Sequence, residues 1–327
     1  MNKTVKSMLE DFDLGALQKH ENLQVCPLLY SGNHSPEYLT LKEALEQRVL
    51  VVKELMKEGS VPELLVKNKS DSPVLLLDGE ELMGAKQNRV LNTTILLKEK
   101  SKTVIPVSCT EQGRWSYSSP LFADSNVVAA SRVRASKLSS VSQLLRSGEH
   151  FRSDQNEVWE SVEDLASEAG VSSPTGAMKD IFESRQKELA EYLDKFPIIE
   201  RQRGLIFLND GKVTGMDYIS YEPAFKLLHQ KLIKSYALDA MMSKKLSGKK
   251  GLKKVAQDFL KKTETCQEKK YQSVGYGWDH RYDGDDLVGS ALVYNNTVIH
   301  MAFFSIDKSE KIGRMSSSSR RRDYRIL

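Results

Sequence analysis

The stretch between Asp78 and Trp115 carries side chains of the kinds that bind and transform small polar ligands. Its candidate general bases are Glu80, Glu81 and Glu111, because a carboxylate can accept a proton from a reacting group. Its candidate ligand-binding residues are cationic, amide or aromatic: Lys86, Gln87, Asn88, Arg89, Gln112, Arg114 and Trp115. Polar groups that converge between apolar strands are typical of a small-ligand site. We therefore predict a binding site in this stretch.

The residue types favour an anionic ligand that also carries a ring. Arg89 and Arg114 present cationic forks that suit phosphate or carboxylate groups. Gln87 and Asn88 offer paired donors and acceptors for polar edges, and Trp115 offers a face for stacking. The alternative is a polar turn whose side chains only tie neighbouring strands together, and the sequence leaves both interpretations open.

The three glutamates leave catalysis open. Adjacent residues on a strand point to opposite sides, so only one of Glu80 and Glu81 can enter a given pocket. A carboxylate buried beside Arg89 or Arg114 can also orient that arginine instead of acting as a base. The sequence therefore does not decide whether a reaction is catalysed.

Other catalytic chemistries find little support in the sequence. Cys109 shares a strand face with Glu111, but no histidine lies near it in sequence, so a buried structural cysteine is favoured. The three cysteines show no CxxC spacing, and the six histidines form neither an HxH nor an HExxH pattern. We therefore predict no disulfide, no metal site and no cofactor, and no Walker, GxGxxG or GxSxG motif occurs.

The elements before Pro120 are predicted to be short strands. Apolar and alternating runs bounded by turn residues predict strands at 23–30, 49–52, 63–68, 73–77, 90–97 and 103–107, with a helix at 41–47. Strands at this spacing are typical of a sandwich or an open barrel. The polar residues described above would then lie between these strands or at their ends.

Helices and hairpins are predicted after Pro120. Asp154 and Gly170 are suited to begin and end one helix, and Ser173-Pro174 is suited to begin another that ends at Pro197. The remaining predictions are strands at 204–208 and 213–219 around Asn209-Asp210-Gly211, helices at 222–242 and within 243–270, and strands at 289–294 and 297–304. Residues 121–152 fit a strand, an arm or a helix. The sequence thus predicts an α+β fold with a β-rich N-terminal half packed against a helix-plus-hairpin C-terminal half.

Charge is unevenly distributed along the chain. The net charge is +4, but residues 308–327 carry +5 and residues 243–270 carry +7, which leaves −8 for the rest. Lysine-rich solvated surface and a disordered tail are the favoured interpretation, and a nucleic-acid contact is expected only through the tail. The alternative is an interaction module that uses this tail and the lysine-rich helix. No apolar run reaches the length of a membrane span and no signal peptide is recognised, so we expect a cytoplasmic protein.

The motifs of the central stretch resemble a known family. DGEELMGAKQNR (78–89) followed by IPVSCTEQGRW (105–115) is similar to the core of the ADP-ribosylglycohydrolase and rhodanese/phosphatase-superfamily-associated protein domain, a family of largely uncharacterised proteins. Further similar segments are SDQNEVWESV (153–162), SSPTGAM (172–178), NDGKVTGMDY (209–218), KLIKSYALDA (231–240) and GSALVYNNTVIHMAFF (289–304).

The resemblance implies one domain over residues 1–306, with a β-rich lobe (1–120), a mixed lobe (121–306) and a basic tail (307–327). It also implies a small anionic nucleotide ligand related to ADP-ribose or NAD, because the family is linked to the metabolism of these compounds. A hydrolase of such a ligand, with one of the glutamates as base, is the alternative. The resemblance supplies no catalytic residues, and the oligomeric state stays open.

Overall fold

The computed structural model of the protein describes residues 1–32, 35–56, 59–243 and 251–306. It confirms the α+β class and the β-rich N-terminal half. The helices are α1 (Lys3–Glu10), α2 (Leu41–Glu46), α3 (Ser131–Arg146), α4 (Gln155–Ala169), α5 (Met178–Ser184), α6 (Gln186–Lys195), α7 (Glu222–Met242) and α8 (Leu252–Thr263). The strands are β1 (Asp13–Leu14), β2 (Gln18–His20), β3 (Leu23–Leu29), β4 (Leu39–Thr40), β5 (Leu50–Glu54), β6 (Glu63–Asn68), β7 (Val74–Leu76), β8 (Glu80–Gly84), β9 (Arg89–Leu91), β10 (Ile95–Leu97), β11 (Lys102–Cys109), β12 (Phe122–Val128), β13 (Gln202–Asn209), β14 (Lys212–Ile219), β15 (Gln267–Gln272), β16 (Trp278–Asp283), β17 (Leu287–Tyr294) and β18 (Thr297–Ser305).

Within these residues the largest sheet joins the two ends of the chain. Its order is β1-β3-β13-β14-β18-β17-β16-β15, with β2 also paired to β3, and all of its pairs are antiparallel. The predicted hairpin around Asp210 and Gly211 is confirmed, and both residues have the positive φ that a tight hairpin turn requires. Because β3 pairs with β13, N-terminal and C-terminal segments share one sheet.

The second sheet curls into a half-barrel. Its strand order is β12-β8-β9-β11-β6-β5, and its concave side is filled by apolar residues such as Val52, Leu64 and Ile105. A small sheet of β10, β7 and β4 packs on the same core. The single strand predicted over 90–97 is instead two strands in different sheets, because the buried polar side chains of Asn92, Thr93 and Thr94 bond to other parts of the molecule.

Helices fill the space between the two large sheets and cover the far side of the nine-stranded one. The helices α3, α4 and α7 contribute to the central core with Leu138, Leu165 and Leu232. The helices α1 and α8 pack on the opposite face through residues such as Val5 and Phe259. The predicted boundaries of α4 are confirmed, since Asp154 accepts bonds from two backbone N–H groups and Gly170 ends the helix with a φ of 63°.

The predicted start of a helix at Ser173-Pro174 is wrong, whereas the predicted end of the helical segment before Pro197 is confirmed. Residues before Met178 form a turn in which the Ser173 hydroxyl accepts from the Ala177 N–H, and Gly176 has a φ of 63°. This turn packs against the loop after β11, with the Gly113 N–H donating to the Thr175 carbonyl. The helix is also interrupted at Arg185, so it forms α5 and α6. The conformation of these residues is therefore determined by tertiary contact with the loop after β11 and not by the local helix signal.

The structure also describes residues 121–152 and part of the lysine-rich segment. Residues 121–152 contain both a strand, β12, and a helix, α3. His280 lies in β16 and is buried against Glu268. The predicted lysine-rich helix is α8, whereas residues 244–250 and the basic tail lie outside the described residues. In the described part of the chain, no helix has the length and apolar character needed to cross a membrane.

Candidate functional site

The open end of the half-barrel brings the central polar residues together. The strand β5 ends at Glu54, β9 begins at Arg89 and β11 ends at Cys109, so these three residues lie at the same end of the sheet. Register places Arg89 opposite Cys109 on one side and Leu82 on the other. Alternation along β5 buries Leu50, Val52 and Glu54, so a carboxylate occupies the last inward position of an apolar strand.

Arg89 and Glu54 form a buried charge pair with unmet hydrogen-bonding capacity. Arg89 is 0% exposed and Glu54 is 7% exposed. The Nη1 atom of Arg89 donates to Gln87 Oε1 at 2.9 Å, whereas its Nη2 atom lies 3.9 Å from Glu54 Oε1, beyond hydrogen-bond distance. Among the described residues, Nε and Nη2 of Arg89 and both carboxylate oxygens of Glu54 have no hydrogen-bond partner. Burial lowers the pKa of Arg89, while the charge of Glu54 acts in the opposite direction.

An exposed aromatic surface covers this pair. The Trp115 side chain is 49% exposed, and its ring centroid lies 5.8 Å from Cζ of Arg89. Lys86 Nζ lies 5.1 Å from the same ring and 5.3 Å from the ring of Tyr117. Gly59 packs beneath them with a φ of +84°, and a Cβ there would lie about 3.1 Å from Lys86 and 3.2 Å from Trp115. We call Arg89, Glu54, Cys109, Trp115 and Trp159 the Arg89 cluster.

The thiol of Cys109 completes the buried side of the cluster. Burial raises the pKa of Cys109, although the Glu111 N–H, the charge of Arg89 and the Trp159 side chain act to lower it. The protonated thiol is therefore favoured, in agreement with a structural role. The Trp159 side chain of α4 neighbours this thiol, and its Nε1 atom is buried. Gln155, at the start of α4, holds the end of β11 by bonding both the N–H and the carbonyl of Cys109.

Arg114 and Glu111 form a clamp that shapes the loops around the cluster. Arg114 donates to both carboxylate oxygens of Glu111 at 2.8 and 2.6 Å, and also to the Ala85 carbonyl at 2.7 Å. Glu111 also accepts from the Asn88 N–H and from the Thr175 hydroxyl. Burial acts to raise the pKa of Glu111, but these hydrogen bonds outweigh it and lower the pKa. The clamp therefore keeps Glu111 ionised and commits Arg114 to the protein itself.

The two amides belong to the same network. Gln87 accepts from Arg89 and donates to the Glu111 carbonyl at 3.0 Å. The Oδ1 atom of Asn88 accepts from the Gly84 N–H and from Arg114. The nitrogen and oxygen of the Gln87 amide and the oxygen of the Asn88 amide are thus bonded to protein groups, and these bonds hold the turn between β8 and β9. Gln112 is exposed on the neighbouring loop.

The two adjacent glutamates point to opposite sides of β8: Glu80 lies towards α7, and Glu81 lies beside the cluster, where its partner Thr110 follows Cys109 in the chain. Glu80 pairs with Lys231 of α7 at 2.7 Å, and Lys231 also pairs with Asp124. Burial raises the pKa of Glu80 against the attraction of Lys231. Glu81 is 0% exposed and accepts from the Thr110 hydroxyl at 2.7 Å, while its Oε2 atom has no hydrogen-bond partner among the described residues. Burial raises the pKa of Glu81 from 4.5 to about 7.

A second group of buried charges lies where the sheets and helices meet. Asp217 of β14 accepts from Arg134 Nη1 and Nη2 at 2.9 and 2.6 Å, and from the Tyr236 hydroxyl at 2.9 Å. His300 bridges Asp217 and Thr94, and Lys137 pairs with Asp78. Burial alone would raise the pKa of Asp217, but Arg134 and His300 lower it to about 2. We call Asp217, Arg134, Tyr236, His300, Thr94, Asp78 and Lys137 the Asp217 network.

The sequence predicted Arg89 and Trp115 as candidate site residues, but it did not predict Glu54 or Trp159. Glu54 could have been found, because the run LVVKE places a carboxylate in phase with Leu50 and Val52. Trp159 gave no comparable signal, since it sits on α4 and reaches the cluster only through tertiary packing. In the described ranges, no three His, Cys, Asp or Glu side chains are grouped as metal ligands would be.

The fold and this site define an α+β protein in which one end of a half-barrel holds a buried, incompletely hydrogen-bonded charge pair under an exposed tryptophan. A family model for the ARG and Rhodanese-Phosphatase-superfamily-associated Protein domain, ARPP-1, matches residues 11–304. The protein therefore belongs to this family, as the motifs of the central stretch suggested. No curated protein and no solved structure matches the chain.

Proposed function

We propose that the protein binds a small nucleotide related to ADP-ribose or NAD at the Arg89 cluster. One observation supports this most: Arg89 and Glu54 are buried, face each other and keep donors and acceptors that no described residue satisfies. A buried polar atom without a partner destabilises a protein by about 1–3 kcal/mol, so such a pair is expected where a ligand provides the missing bonds. The exposed Trp115 ring above it offers a stacking surface for a base.

The choice of ligand class rests on the family. Its description associates the domain with ARG, which we take to mean ADP-ribosylglycohydrolase. Nucleotides of this class combine a base, ribose hydroxyls and phosphates. The cluster offers an aromatic ring, a carboxylate and a cation, and Lys86 adds a second cation beside the Trp115 ring. In this proposal Arg89 and Trp115 contact the ligand, whereas Arg114, Gln87 and Asn88 hold the loops in place. The proposal includes a cytoplasmic location.

Isothermal titration with ADP-ribose and NAD tests the proposal. We expect wild type to bind at least one of them, and Arg89→Met to weaken that binding about 30-fold or more, because it removes a charged hydrogen-bonding group worth about 2 kcal/mol or more. Arg89→Lys, which keeps the charge but loses the planar fork, should also bind more weakly.

Arg201→Met is the matched control, since Arg201 is exposed and bonds to Ser31 on the nine-stranded sheet side. It should bind as wild type does, and the melting temperature of each variant shows whether it has folded. Binding that is absent in wild type, or equal in wild type and both Arg89 variants, would contradict the proposal.

A second candidate function is hydrolysis of the same ligand, and Glu81 is the observation that favours it. A general base works best with a pKa near the operating pH. Of the three candidate glutamates, Glu81 has a pKa of about 7, whereas Glu111 is held ionised by Arg114 and Glu80 is paired with Lys231. Product formation that is lost in Glu81→Gln but kept in Glu111→Gln, with binding intact in Glu81→Gln, would support it.

A further inference from the structure

The charges of the Arg89 cluster and of the adjoining clamp cancel in pairs. Arg89 faces Glu54, and Arg114 is bonded to Glu111, so two cations are matched by two carboxylates. A phosphate placed against Arg89 would lie close to the Glu54 carboxylate, which is 3.9 Å from Arg89 Nη2. In a buried site, like charges at such distances repel strongly because water does not screen them. The charge balance therefore favours an uncharged group at the buried end of the site.

The hydrogen-bonding groups at this end call for a ligand that both accepts and donates. Arginine offers only donors, and a carboxylate offers only acceptors. No described residue forms a hydrogen bond with Nε or Nη2 of Arg89, or with Oε1 or Oε2 of Glu54. A phosphate dianion can accept from Arg89 but has no hydrogen to give to Glu54. A hydroxyl does both, and two neighbouring hydroxyls can bond to both partners at once.

We infer that the Arg89–Glu54 pair binds the free vicinal diol of a ribose, and that the phosphates of the ligand stay outside this pair. A carboxylate that accepts from a ribose hydroxyl is a recurrent arrangement in nucleotide-binding proteins. The phosphates would lie towards the partly exposed side, where Lys86 stands over the rings of Trp115 and Tyr117. This inference rests on the proposed nucleotide-binding function and specifies which part of the ligand is buried.

A ligand series on the wild-type protein provides the first test. Isothermal titration compares AMP, 2′-deoxy-AMP and inorganic pyrophosphate, with ADP-ribose as the reference. We expect AMP to bind and 2′-deoxy-AMP to bind about 100-fold more weakly, because a site built to bond a hydroxyl discriminates against a ligand that lacks it. Pyrophosphate should bind more weakly than AMP.

Equal affinities for AMP and 2′-deoxy-AMP would overturn the diol inference and leave the proposed function standing. If AMP, ADP-ribose and NAD all fail to bind, the proposed function fails and the inference fails with it. Pyrophosphate binding that equals or exceeds AMP binding would place the phosphate, instead of the sugar, against Arg89.

The second test uses the sign of the effect of Glu54→Gln. If Glu54 accepts from a diol, removing one acceptor oxygen weakens AMP binding, and we expect a loss of about tenfold or more. If a phosphate occupies the same place, removing the negative charge strengthens AMP binding instead. Glu46→Gln on the exposed face of α2 is the matched control and should leave AMP affinity unchanged. Should Glu54→Gln fail to fold, the wild-type ligand series decides alone.

Discussion

The Asp217 network and the Arg89 cluster are both buried groups of charges, and they differ in how completely their hydrogen bonds are made. In the Asp217 network, two arginine donors, a tyrosine hydroxyl and a histidine bond to one aspartate. In the Arg89 cluster, Nη2 of Arg89 and Oε1 of Glu54 lie 3.9 Å apart and do not form a hydrogen bond. Burial of charge is therefore common to both groups, and the unmet hydrogen-bonding capacity of the Arg89–Glu54 pair is what distinguishes the group that we propose as a binding site.

Position in the fold explains the difference. The Asp217 network lies where β14, α3 and α7 meet, so several elements supply partners for each charge. The Arg89 cluster lies at the end of the half-barrel, where strands stop and an exposed ring forms the cover. A buried ion pair contributes to stability only when good geometry and extra hydrogen bonds offset its desolvation. The Asp217 network meets this condition, so we expect it to stabilise the fold. The Arg89 cluster does not meet it.

The largest effect should follow from breaking the Asp217 network. We expect Arg134→Met to lower the free energy of unfolding by about 3–5 kcal/mol, because it leaves a buried aspartate without its main cation. Urea unfolding followed by circular dichroism measures this. Arg152→Met is the control, since Arg152 is exposed and the loss of its pair with Glu63 should cost about 1 kcal/mol or less. A loss of under 1 kcal/mol for Arg134→Met would mean that the network is not the main stabilising group.

An intermediate effect that depends on pH should follow from Glu81→Gln. The pKa of Glu81 in the folded protein, about 7, lies above its ordinary value of 4.5, so the folded state retains the proton over this interval. Glu81 ionises in the unfolded chain over this interval but not in the folded protein, so the free energy of unfolding falls progressively as pH rises from about 4.5 to about 7, and the loss is complete above that range.

Replacing this carboxyl with an amide should raise the free energy of unfolding at pH 8 by up to about 3 kcal/mol and have little effect at pH 4. Urea unfolding of wild type and Glu81→Gln at the two pH values provides the comparison. The same gain at both pH values would show that the change acts through packing and not through ionisation.

The smallest effect on stability is expected at the Arg89 cluster. Replacing a poorly bonded buried ion pair with apolar side chains is often neutral or stabilising. We expect the double variant Arg89→Met, Glu54→Leu to unfold within about 1 kcal/mol of wild type, or to be more stable. The same urea experiment measures this, and calorimetry should show that ligand binding is lost. A destabilisation of 3 kcal/mol or more would place this pair with the Asp217 network as a structural group.

Much of the local structure could be predicted from the sequence. Asp154 and Gly170 marked the ends of α4, and Asn209-Asp210-Gly211 marked a hairpin, because caps and tight turns depend on residues close in the chain. The predicted start of a helix at Ser173 was wrong because residues distant in the chain determine the structure there. The first residues of this predicted helix pack against a loop that lies about 60 residues earlier in the chain, and this contact decided their conformation.

The sequence by itself identified the stretch 78–115, its family and the residue types that gather there. Only the tertiary structure separated their roles, because Arg114, Gln87 and Asn88 bond to protein groups, while Arg89 keeps donors that no described residue satisfies. The tertiary structure also places Glu54, which lies outside this stretch, next to Arg89. Residue type and spacing reveal which hydrogen bonds a side chain can make. Which of them are already made depends on segments far apart in sequence, and only the folded chain fixes their positions.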